Sequence, residues 1–218
     1  MDDESAWLAP TYFLDWESPA ILEFAERATH GAKSKRERAS RLFYAVRDAF
    51  RYDPYGVRRE AESYRASHIA KTSSGFCVTK AVFLTAVARA SGLPARLGFA
   101  DVRNHLATPK LLERMGTDVF FFHGYSEFHL DGQWLKAAPT FNRELCERFA
   151  VKPIEFDGTA DALLHEFDAG GRRHMEYVTE RGSFDDLPFD EMIRVFTEAY
   201  GDEGFRDLGN EVDEVFQG

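Results

Sequence analysis

The chain reads as an α+β fold on three features. Helical periodicity dominates the first fifty residues, one strongly apolar helix sits near the middle, and the clearest strands after it flank a two-residue hairpin turn. Helices and strands segregated in this way, rather than alternating one by one, argue against a doubly wound parallel sheet. A length of 218 residues fits one domain with appended terminal segments. We divide it into a helical segment over 1–40, a core over 41–142 and a mixed helical extension of the same domain over 143–218.

Ser18 followed by Pro19 supplies the cap and first position of a helix through ILEFAERA. Ser34 caps a second, in which Ala39, Leu42, Phe43, Val46 and Phe50 recur at helical spacing. The YDPY stretch breaks it with a proline. Ser74 to Ser91 carries the strongest helical signal. Val78, Ala81, Val82, Val87 and Ala88 fall on or near one stripe, Gly92 closes the helix, and Pro94 forbids its continuation. Leu97, Phe99 and Asp101 alternate as a strand does, and Thr108-Pro109 opens a short helix over LLERMG.

FFHGYSEFHL then runs into Asp131-Gly132, a two-residue turn signal, and QWLKAAPTF returns. That turn fixes a register in which Leu130 faces Gln133, Phe128 faces Leu135, Glu127 faces Lys136 and His123 faces Thr140. Phe128, Leu130, Leu135 and Ala137 then point to the core. His123, Tyr125, Glu127 and His129 share the other, outward face. Beyond Asn142, residues 143–150 read as helix, 174–178 as a strand and 187–200 as an amphipathic helix.

Composition excludes several classes. With 44% apolar, 14% aromatic and 29% charged residues, the chain is no disordered tail, collagen-like repeat or disulfide-dense miniprotein. Twenty Phe, eight Tyr and three Trp predict an aromatic core, or an aromatic pocket within it. A formal charge of −10, without a basic run, repels phosphate backbones and disfavours nucleic acid as a partner. No stretch of 18 apolar residues or signal-peptide layout occurs, so no membrane association is expected. Two cysteines without metal spacing make a reducing, cytoplasmic setting the expectation.

Chemistry centres on Cys77. With Ser74 as cap it falls in the first helical turn, where unpaired backbone N–H groups and the helix dipole favour a thiolate. The plainer reading is a small buried residue, which most free cysteines are. His123 could supply the imidazole such a nucleophile needs, or be a polar residue at a strand end. Cys146, His129, His105 and His174 read as packing, cross-strand or loop residues.

Together the pieces resemble the transglutaminase-like superfamily, relatives of the papain-type cysteine enzymes, in its bacterial single-domain form. The family's nucleophile context G-x-C is matched by Gly75-Phe76-Cys77, and its helix-ending turn by Gly92-Leu93-Pro94-Ala95-Arg96. Its His-x-aromatic strand start is matched by His123-Gly124-Tyr125, and the return strand has Trp134 and then Pro139-Thr140. The resemblance implies a nucleophile at the N-terminus of a central helix packed on an antiparallel sheet. It departs at Ala138, where the family usually has an Asp that holds the imidazole. Asn142, a diagonal neighbour of His123, is the candidate replacement. The alternatives are that Asn142 caps the helix at Arg143, that an acid such as Asp157 is recruited, or that there is no third member.

The implied function is acyl transfer or amide or peptide hydrolysis through a thioester on Cys77, with His123 as acid and base. It needs no metal or organic cofactor. Its substrate would be a peptide, a protein or a small amide. The competing expectation, favoured by Ala138, is a binding or scaffold protein that keeps the fold without turnover.

Overall fold

A computed structural model describes residues 4–105, 109–164, 171 and 175–201, so His174 lies outside the described residues. Two helices come first, α1 (Pro19–Thr29) and α2 (Lys35–Ala49). Ser34 Oγ accepts the Glu37 N–H at 3.1 Å while the Glu37 carboxylate accepts the Lys33 N–H at 2.8 Å, which fixes where α2 begins. A short strand, β1 (Arg51–Tyr52), follows. After a 3₁₀ turn at Ala61–Tyr64 and α3 (Ala66–Ile69), β2 (Ser74–Gly75) pairs with β1 in parallel.

The central helix, α4 (Cys77–Ala90), starts later than the sequence predicts. Ser74 does not cap it, because Ser74 and Gly75 are drawn into pairing with Arg51 and Tyr52. The Phe76 N–H instead donates to Thr79 Oγ1 at 3.1 Å, and Cys77 becomes the first helical residue rather than the third. At the other end Gly92 adopts φ 72°, and the N–H groups of Gly92 and Leu93 return to the carbonyls of Arg89 and Ala88. That closure is a Schellman turn.

Every residue of α4 from Cys77 to Arg89 is buried. The helix lies between α1 and α2 on one side and the sheet on the other. The sheet comprises β3 (Ala95–Asn104), β4 (Val119–Leu130), β5 (Gln133–Ala137) and β6 (Met175–Phe184). Their order is β5-β4-β3-β6, with every pair antiparallel. The predicted hairpin register is the observed one from Leu130↔Gln133 to Ser126↔Ala137. Asp131 at φ 51° and Gly132 at φ 81° make the turn that right-twisted strands require. The strand expected over 174–178 extends to Phe184. Three further helices, α5 (Pro109–Met115), α6 (Arg143–Arg148) and α7 (Phe189–Tyr200), complete the described elements.

The face carrying His123, Tyr125 and Glu127 is not outward. All three are buried, and Ala100, Tyr125, Ala138 and Leu163 form a second small cluster there. The segment around Ala162 folds back on Ala137 to cover it, and no periodicity marks that segment. Glu127 bonds Arg96 at 2.6 Å, while Lys136, its cross-strand neighbour, reaches Glu180 at 2.8 Å.

Candidate active site

Cys77 is set by the backbone on both sides of it. A Cβ on Gly75 would stand 2.7 Å from Thr79 Oγ1, the hydroxyl that caps α4, so glycine is needed for that cap. A Cβ on Gly124 would meet Val78 Cα at 3.0 Å and the Cys77 carbonyl at 3.3 Å. Gly124 therefore lets β4 lie directly on the first turn of α4. The N–H groups of Gly124, Val78 and Cys77 act on the sulfur and favour negative charge. Burial acts the other way and prevails, pushing the thiol up to about 11. The thiolate expected from the helix terminus alone is thus a neutral thiol in this closed form.

His123 follows a kink. The β3–β4 ladder shifts register between Ala100 and Val102, and Phe122 takes φ 53°, a left-handed backbone unusual for a bulky residue. Asp101 Oδ1 accepts the Phe122 N–H at 3.1 Å. The same carboxylate takes Arg181 Nε at 2.5 Å and Nη2 at 3.0 Å, and the guanidinium lies 4.4 Å over the Phe122 ring. Sequence reasoning missed this clamp, because its strand pattern for Asp101 gave no sign of a partner eighty residues away. The His123 ring is buried, which lowers its pKa to about 4, and its Nε2 has no hydrogen-bond partner among the described residues.

Cys77 and His123 line neighbouring hollows that share Tyr52, Pro54 and Phe120. The thiol side, about 60 Å³, is walled chiefly by Tyr52, Phe76, Met115, Phe120, Phe196 and Tyr200. The imidazole side, about 30 Å³, adds Val102, Asn104, Thr140 and Phe141. The sulfur lies against the amide of the residue following His123, yet thiol and imidazole are not hydrogen-bonded to each other.

Asn142 turns elsewhere. Its Oδ1 accepts the Tyr52 N–H at 3.1 Å, tying the end of the hairpin to β1. It occupies the cap position of α6 without a side-chain cap bond, since Asp48 Oδ1 takes the Arg143 N–H at 2.9 Å. Ala138 is buried and presents only a methyl group. Asp157 is exposed and accepts from Thr159. Cys146 is buried in α6, His129 bonds Glu4 at 2.7 Å beside Trp134, and His105 is exposed near Glu176.

Sequence reasoning also missed Lys80. It is fully buried, one turn after Cys77, and its Nζ donates to the carbonyls of Arg47, Phe50 and Thr140 at 2.9, 3.1 and 2.8 Å. Burial lowers its pKa to about 7. The three carbonyls, which use all three N–H bonds of an ammonium, favour the charged form.

A family model described as the transglutaminase-like superfamily matches residues 22–139. One similar solved structure is "The Crystal Structure of a Putative Cysteine Protease from Cytophaga hutchinsonii", at 14% identity and a TM-score of 0.50, covering 84% of this chain and 55% of that one. Another is a putative protease from Parabacteroides distasonis, at 14% identity and a TM-score of 0.40, covering 72% of this chain and 31% of that one. The first shows a shared fold. The chain spans about half the length of that protein and under a third of the second. No curated protein matches it.

Proposed function

The chain belongs to the transglutaminase-like superfamily, and from that premise we propose that it is a cysteine-dependent acyl-transfer enzyme or hydrolase acting through a thioester on Cys77. One observation carries the reading: Cys77 opens a buried helix with three backbone N–H groups acting on its sulfur, one of them from the residue after His123. As the sulfur attacks an amide or ester carbonyl, its proton passes to the His123 imidazole. The carbonyl π electrons move to oxygen, which the Cys77 N–H meets at the helix start. Collapse expels the amine or alcohol, which takes the proton from the imidazolium, and a thioester remains. Water, deprotonated by His123, or an acceptor amine then releases the acyl group.

The substrate is a peptide, a protein or a small amide whose acyl side suits the apolar, aromatic hollow around the sulfur. We assign the protein to a reducing compartment such as the cytoplasm, which suits two free thiols. Among the described residues no helix is long and apolar enough to cross a membrane.

Incubation with a p-nitrophenyl ester of an aromatic acid tests the reading by intact mass. Wild type gains one acyl group on Cys77. Cys77→Ala gains none and melts within about 3 °C of wild type, since a sulfur-sized deletion removes little packing. An adduct that persists in Cys77→Ala overturns the proposal. The second reading, a scaffold without turnover, is favoured by Ala138 and by the missing thiol–imidazole hydrogen bond. It expects no adduct on wild type either.

A further inference from the structure

We propose that Thr140 positions the His123 imidazole through a single water molecule held between Thr140 Oγ1 and His123 Nε2, in the role that a carboxylate would otherwise fill. The inference rests on the acyl-transfer reading and concerns its third member.

Both atoms are buried without a partner among the described residues, and both residues line the same hollow of about 30 Å³. Buried polar atoms in native proteins are almost always satisfied. Here no neighbouring side chain does it: Ala138 has no polar group, and Asn142 Oδ1 is committed to Tyr52. The space is of the order of one water, which needs two or more polar partners to be retained. A hydroxyl serves this role well because it can donate or accept as the ring requires.

The fold also holds Thr140 in register with the thiol. The hairpin register, extended three residues past its last pair Ser126↔Ala137, sets Thr140 opposite His123. The Thr140 carbonyl accepts from Lys80 Nζ at 2.8 Å, and Lys80 lies three residues after Cys77 on α4. The helix that carries the sulfur therefore also anchors the residue that orients the ring. With its proton on Nε2 and donated to the water, the imidazole presents Nδ1 as the free base.

The experiment compares Thr140→Val, which keeps shape but loses the hydroxyl, with Thr140→Ser, which keeps it. ¹⁵N NMR of the imidazole reads the tautomer without any turnover, and the aromatic p-nitrophenyl ester reads acylation against pH. Wild type and Thr140→Ser should show the Nε2–H tautomer. Thr140→Val should lose that preference and acylate roughly tenfold to a hundredfold more slowly, a part of the ~10²–10⁴ that general acid–base catalysis contributes. A Thr140→Val protein with wild-type tautomer and rate overturns the proposal. If that variant does not fold, the unmodified protein still decides: an Nδ1–H ring, or an Nε2–H that shows no magnetisation transfer from water, refutes it. Absence of an acyl adduct on wild type would defeat the enzyme reading, while the tautomer would still judge the water bridge.

Discussion

Burial pushes the two candidate catalytic groups in opposite directions, and both shifts favour the uncharged pair: Cys77 rises to about 11 and His123 falls to about 4. The resting site is therefore a neutral thiol beside a neutral ring, and charge separation waits for a carbonyl to receive it. The histidine shift has a consequence for stability. Unfolded, the ring binds its proton near 6.5, whereas folded it does so near 4. Between those values the unfolded chain binds more protons, so stability falls as pH drops from 6.5 to 4, by about 3 kcal/mol at the lower end. Urea unfolding at pH 7 and pH 4.5 should show this loss in wild type and largely remove it in His123→Gln; equal losses would mean the ring is not buried neutral. Cys77 and His123 were both legible in the sequence, because each sits in a short, ordered motif. Thr140 was legible as a position, opposite His123 in the hairpin register and within the Pro139-Thr140 pair, but not as a partner of the ring, and Lys80 gave no signal at all. The burial of the Thr140 hydroxyl, and the enclosure of the Lys80 amine by carbonyls of distant segments, depend on tertiary packing that spacing does not encode.

At the scale of elements, the kink in β4 controls where His123 emerges. Phe122 at φ 53° holds a conformation that disfavours a bulky side chain by roughly 1–3 kcal/mol, and the Asp101–Arg181 pair holds it there. Asp101→Asn keeps an acceptor for the Phe122 N–H, whereas Asp101→Ala removes it and leaves Arg181 unpaired. We expect Asp101→Ala to lose about 3 kcal/mol and to shift the His123 ring resonances, with Asp101→Asn moving them much less. Identical ring spectra in both variants would show that the clamp does not set the ring. Elements were readable where local chemistry specifies them: Ser34 starts α2, Gly92 ends α4, and Asp131-Gly132 fixes the hairpin register. They were unreadable where only tertiary pairing does. The two-residue β1–β2 pair is too short to show a period, so Ser74 read as a cap. The exposed residues of β6 gave only a fragment of a strand that exists because β3 offers an edge.

Over the whole molecule, segments far apart in the chain enclose the sulfur. The loop after β1 gives Pro54 and Tyr55, α5 gives Met115, β4 gives Phe120 and Phe121, and α7 gives Phe196 and Tyr200. The aromatic excess in the composition is spent partly on this enclosure. Residues beyond 143 both extend the sheet through β6 and cover the thiol through α7. Arg89 on α4 binds them in, donating to the carbonyls of Ala9, Ala95 and Asp185. Closure over Cys77 hangs on Tyr200, whose hydroxyl accepts the Phe121 N–H at 2.7 Å and donates to the Val119 carbonyl at 3.3 Å. Removing the ring and both bonds in Tyr200→Ala should raise the open population, and an opening made easier by about 1.4 kcal/mol speeds alkylation about tenfold. Iodoacetamide labelling followed by peptide mass spectrometry measures Cys77, with Cys146 as the internal reference, since burial also pushes that thiol up to about 11. In wild type the Cys77 rate should be low at pH 7 and rise about tenfold per pH unit towards 11, because only the thiolate reacts. If Tyr200→Ala labels Cys77 no faster than wild type while Cys146 is unchanged, then α7 is not what limits access to the sulfur.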